Sequence, residues 1–299
     1  MRKSCSAAFA VMGLLGLAGG QPAAATPFFS TGDTDGKIAT ATRPGVAGGP
    51  FEIESADDFI LTQPTTITAA SFTGLIPHNS SPTEVVVEIY RVFPADSDVT
   101  RTSGPNTTPP FSTTQVPTRA NSPSDNALES RNSNSPGELS FTTTALTADF
   151  TAANSVQPNG IHPKPNQKTG GNGAVTGDET EFDVTLTDPI TLAPDHYFFV
   201  PQVLLDNGDF LWLSAPKPIT DGTGPFTGDL QSWTRDANLD PDWLRVGTDI
   251  VGSASVDVPA PQFNETFSLT GIVPEPGTLA VFGTGLLGLV LLGRPRSRR

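Results

Sequence analysis

Polar and apolar positions in this chain alternate in short runs of period two, each closed by turn-forming residues. The clearest run has Phe182, Val184 and Leu186 alternating with Asp183, Thr185 and Thr187. Successive side chains of a strand point to opposite faces, so this pattern predicts a strand with one buried and one wet face. Residues 84–93 read as a second strand, with Val85, Val87 and Ile89 on one face and Val86, Tyr90 and Val92 on the other. Further strands are predicted at 58–61, 67–75, 139–142, 196–205, 210–214 and 266–271. Asp206-Asn207-Gly208-Asp209 lies between two apolar runs and predicts a hairpin turn centred on Asn207-Gly208. With 29 glycines and 29 prolines, the chain leaves little room for long helices. The expected body is all-β: an antiparallel β-sandwich, jelly-roll-like, with long loop insertions. No internal repeat is visible, which argues against a propeller or a solenoid.

Two stretches break the alternation. Residues 100–136 are rich in Ser, Thr, Pro and Asn, and residues 155–177 in Gly, Pro and Asn. Neither has the apolar content to offset the entropy of ordering. Both are expected to be surface insertions leaning towards disorder in a body spanning 26–272; the alternative is a split into two domains near 154–177.

The ends follow different rules. Arg2 and Lys3 precede an apolar run at 7–17, and Ala23 and Ala25 offer small residues to signal peptidase. Residues 1–25 are therefore expected to form a signal helix that is removed after Ala25. Cys5, the single cysteine, leaves with it, so the mature chain is expected to have no disulfide, thiolate metal site or cysteine nucleophile. At the other end, Pro274-Glu275-Pro276 leads into an uncharged run at 278–293, followed by Arg294, Arg296, Arg298 and Arg299. That run would span about 24 Å as a helix, short of a hydrocarbon core of about 30 Å. Snorkelling arginines close part of the gap. A transmembrane helix is expected there, and its basic stop-transfer end places the C-terminus in the cytoplasm and the body outside.

The three parts of 273–299, in this order, resemble the PEP-CTERM sorting tail of exported Gram-negative proteins. The resemblance implies an inner-membrane intermediate, recognition by exosortase, processing near Pro274, Glu275 and Pro276, and transfer to the cell surface or medium. It also suggests a host that builds exopolysaccharide. The body is similar in general character to uncharacterised β-rich proteins with such tails, which implies no activity for it.

Composition narrows the partners. Seventeen basic and 31 acidic residues give a net charge of −14, more negative still once both ends are lost. This argues against nucleic acid and anionic membrane surfaces. His78, His162 and His196 show no zinc spacing, and there is no GxSxG elbow or P-loop. No catalytic residue is assigned. Asp33 and Asp35 begin like a calcium loop, but Lys37 and Pro44 occupy ligand positions, leaving a turn. Asp236, Asn238 and Asp240 fall at loop positions 1, 3 and 5, with Asp242 nearby, and form a candidate structural calcium site. Pro241 and Gly247 rule out an EF-hand, and an Asx-rich turn competes with the calcium assignment. Asp57 and Asp58 are adjacent in a strand and face opposite ways, so they cannot share a proton. Trp233 and Trp243 are candidates for stacking on sugars, against the competing expectation that they are packed in a core.

Three functions follow, in order of preference. The first is an exported cell-surface or extracellular-matrix protein without catalytic activity, served by signal peptidase and exosortase and associated with exopolysaccharide. The second is a carbohydrate- or calcium-dependent binding module. The third is a secreted hydrolase.

Overall fold

The computed structural model describes residues 26–99, 120–162, 167–237, 243–253 and 255–273. In chain order the first strands are β1 (Phe29–Ser30), β2 (Ile38–Ala41), β3 (Ile53–Ile60), β4 (Thr65–Ile76), β5 (Pro82–Arg91), β6 (Glu129–Asn132), β7 (Leu139–Ala152) and β8 (Asn154–Val156). There follow β9 (Val175–Leu192), β10 (His196–Leu205), β11 (Leu211–Ala215), β12 (Trp233–Asp236), β13 (Leu244–Arg245), β14 (Asn264–Glu265) and β15 (Phe267–Ile272). The described residues are mostly β-sheet, consistent with the all-β class that the alternation predicts. The strands form a nine-stranded and a six-stranded sheet.

The larger sheet runs β1-β15-β4-β11-β2-β8, with β9 on the other edge of β4, β7 beyond β9, and β14 on β11. The smaller runs β13-β12-β3-β10-β5-β6. Pairing is antiparallel except for β2 with β8. Successive strands often change sheet: β3, β4 and β5 alternate between the two, as do β9, β10, β11 and β12.

One consequence corrects the expected hairpin. β10 and β11 do not pair with each other; they lie in different sheets. The turn at Asp206 and Asn207 bridges the layers and is tied to the β4–β5 connection instead. Ser81 N donates to Asp206 Oδ1 at 2.8 Å, and Ser80 Oγ donates to the Asn207 carbonyl at 2.7 Å. The apolar runs on either side are buried almost throughout. With no wet face, their pattern does not select a partner.

The alternation is legible where one face is wet. Phe182, Val184 and Leu186 enter a core shared by both sheets, as do Val85, Val87 and Ile89 from β5. Aromatics dominate that core: Phe72 stacks on Phe182 at 5.1 Å, and Phe199 on Phe267 at 5.1 Å. Trp212 is fully buried, and its Nε1 donates to the Thr266 carbonyl at 2.7 Å. β4 carries β15 along Thr66–Phe72 and then β11 at Gly74 and Leu75. A Cβ on Gly74 would lie 2.3 Å from the Phe210 ring, so the handover needs glycine.

Parts of both presumed insertions are ordered. The edge strand β6 falls within 100–136, and β8 overlaps 155–177. Glu129-Ser-Arg-Asn132 has no apolar residue to announce it; its order comes from backbone pairing with Val86–Ile89 of β5. Likewise β7 runs ten residues past its predicted end through mostly exposed positions, held by pairing with β9. Among the described residues no helix is long and apolar enough to cross a membrane. The signal region 1–25 and the segment 278–293 lie outside the described residues.

Candidate functional site

Alternation in the smaller sheet sends Phe59, Val87 and Phe199 inward and leaves Glu54, Glu88, Tyr90, Gln202 and Arg235 on the outer face. There one oxygen each from Glu52, Glu54 and Glu88 lies within 4.8 Å of the others. Arg235 grips Glu54 through Nε and through Nη2, the latter at 3.0 Å to Oε1. Its guanidinium also donates to Tyr90 Oη at 2.9 Å and lies over the Trp243 ring at 4.5 Å. Tyr90 Oη donates to Glu54 and is 3.1 Å from Glu88 Oε2. Gln202 Nε2 donates to Glu52 Oε1 at 3.2 Å.

Burial, then the charges of Glu54 and Glu52, push the Glu88 carboxyl up to about 7. Burial and Glu54 also raise Glu52, and the same two causes raise the Tyr90 hydroxyl, keeping it a donor. Burial opposes the charge on Arg235, but the Glu54 carboxylate more than offsets this and holds it cationic. A carboxyl titrating near neutrality beside an arginine-paired carboxylate is the raw material of acid–base chemistry. Glycoside hydrolysis also needs room for substrate and water between the carboxyls. Glu54 is only 2% exposed and Gln202 1%. The cluster's internal cation is Arg235, so the arrangement is closed on itself.

Of the two readings of the tryptophans, core packing is the one the structure shows, and the sugar-stacking candidates are corrected. Trp233 and Trp243 are 2% and 3% exposed, and neither offers a ring face to a sugar. They pack with Ala56, Tyr90, Phe198 and Val200 on the outer face of the smaller sheet. The chain around 124–127 roofs that face: Trp243 Nε1 donates to the Ser124 carbonyl at 3.0 Å, and Arg235 Nη1 to the Asp125 carbonyl at 3.0 Å. Asp236 closes β12 opposite Ile53 and is 4% exposed. Asn238, Asp240 and Asp242 lie outside the described residues, as do Ala23, Ala25, Pro274, Glu275, Pro276, Arg294, Arg296, Arg298 and Arg299.

Asp57 and Asp58 do face opposite ways. Asp57 turns inward, and its Oδ2 accepts from Glu265 N at 2.8 Å. Asp58 turns outward, bonding His196 Nε2 at 2.6 Å and accepting from Leu230 N at 2.9 Å. Burial raises Asp57, Asp58 and Glu265. The Asp58–His196 pair escapes a reading of spacing alone. It is a diagonal contact, since His196 pairs with Ile60 while Asp58 pairs with Phe198. The glutamate cluster is equally hidden, drawing with its partners Arg235 and Gln202 on four strands and the residue ahead of β3.

Residues 273–299 match the PEP-CTERM protein-sorting motif. No curated protein and no solved structure matches the chain. The tail thus marks an exported protein directed to exosortase and to the surface or exterior of the cell.

Proposed function

We propose that this is a cell-surface or extracellular-matrix protein without catalytic activity. Its route uses a signal peptide at 1–25 and a transient inner-membrane anchor at 278–293, followed by exosortase processing near Pro276. The body, one jelly-roll-like sandwich over 26–272, is then displayed or released among exopolysaccharide. The sorting motif at 273–299 is the observation that carries this reading. The acidic composition suits a solvated, self-repelling surface protein. The glutamate cluster, with Glu54 paired to Arg235 and its residues well covered, favours a structural role over hydrolysis. A structural calcium at Asp236, Asn238, Asp240 and Asp242 stays part of the proposal, testable as a rise in melting temperature that chelation removes.

The test is intact mass from membrane, surface and medium fractions, with and without exosortase. The expected form in the surface or medium fraction begins at Thr26 and ends near Pro276. Glu275→Ala should hold the full tail in the membrane fraction. A tail that persists whether or not exosortase is present would overturn the proposal.

A further inference from the structure

We propose that a groove on the outer face of the nine-stranded sheet binds a cationic glycan, a polyhydroxyl chain carrying protonated amines. The groove encloses about 580 Å³, within the roughly 300–1,000 Å³ usual for small-molecule sites. It is distinct from the glutamate cluster, which belongs to the other sheet. The inference rests on the groove alone and stands or falls separately from where the tail delivers the chain.

Strand alternation builds the floor. Phe72, Phe182 and Val184 point into the core, so Ser71 and Thr73 of β4 and Glu179 and Glu181 of β9 face outward. Register sets Thr73 opposite Glu181, and Ser71 opposite Ser268 of β15, whose hydroxyls meet at 2.7 Å. Asp33 and Asp221 come from connecting segments at the rim, and Leu146 lines the groove while 50% exposed. The lining thus holds four carboxylates and no lysine or arginine.

Glu179 is the second, independent sign. It is only 7% exposed, yet among the described residues its side chain has neither a hydrogen bond nor an ion pair. Its carboxylate oxygens still reach the solvent of the groove, so an ammonium entering there meets a carboxylate that no protein group already holds. Burial, and then Asp183 and Asp33, also raise the neighbouring Glu181 carboxyl, a strain that an incoming cation would relieve.

Three features select the ligand. Among the described residues only Glu52, Glu54 and Glu88 converge tightly enough to suggest a single metal ion, so the groove's carboxylates suit distributed positive charge. Hydroxyls both donate and accept, which matches a polyol. Phe72 and Phe267 are 1% and 3% exposed, which leaves Pro27 and Leu146 as apolar anchors, poor provision for a peptide.

The test is calorimetric titration of the full-length chain with a glucosamine hexamer, its N-acetylated counterpart and hexalysine, at a pH that keeps the amines protonated. The glucosamine hexamer should bind at least about tenfold more tightly than either competitor, a difference of about 1.4 kcal/mol. Glu179→Gln should weaken that binding at least about threefold. The exposed pair Asp33→Asn with Asp221→Asn should do the same without threatening the fold, whereas Asp257→Asn, outside the groove, should change nothing. Absence of binding by the glucosamine hexamer, equal binding of the acetylated form, or preference for hexalysine would each overturn the proposal. So would indifference to the groove substitutions.

Discussion

Replacing Glu88 with glutamine should stabilise the protein, and only towards alkaline pH. Burial and the adjacent Glu54 and Glu52 shift the Glu88 carboxyl from 4.5 to about 7. The unfolded chain releases this proton first, so between those values the folded state holds more protons than the unfolded state. Stability from this group is therefore fully present below about 4.5 and declines as pH rises through about 7. Each tenfold change in proton affinity is worth roughly 1.4 kcal/mol, which makes the whole loss on the order of 3 kcal/mol. Glutamine keeps the shape and cannot ionise, and its carbonyl can still accept from Gln202 Nε2. Urea unfolding of both proteins, followed by tryptophan fluorescence, should give nearly equal stabilities near about pH 4. The variant's advantage should open with rising pH and level off above about pH 8. A difference that stays flat with pH, or a variant weaker than the parent in alkali, would refute the reasoning.

Arg235→Met strips the countercharge from buried Glu54 and should cost about 3–5 kcal/mol. Adding Glu54→Gln should recover much of that in a double-mutant cycle read by urea denaturation. Gly74→Ala places a methyl against the Phe210 ring and should cost about 1–3 kcal/mol, measured as a lowered unfolding midpoint. Trp212, Trp233 and Trp243 are all buried, so emission should be blue-shifted and resistant to acrylamide. Strong quenching, or a sugar-induced change lost in Trp233→Phe, would reinstate sugar stacking.

The sequence by itself determined the address and the class. The tail at 273–299 is a local signal read by its order of parts, and the family comparison finds it in the same residues. Period-two alternation placed Phe182, Val184 and Leu186 in the core because a strand with one wet face must be amphipathic. The same rule put Asp57 and Asp58 on opposite faces. It could not find β6, which carries no apolar residue and exists through backbone pairing with β5. Nor could it pair β10 or β11, since strands buried on both faces leave no alternation to choose a neighbour. The tryptophans were left between core packing and sugar stacking for a related reason. Their flanking Asp and Arg look like a solvated loop, yet the roof from residues 124–127 buries both rings. Only tertiary structure brought Glu52, Glu54 and Glu88 to Arg235, and Glu179 to Asp33 and Asp221. Each of those groups joins residues far apart in the chain, and their proximity is fixed by sheet register and layer packing.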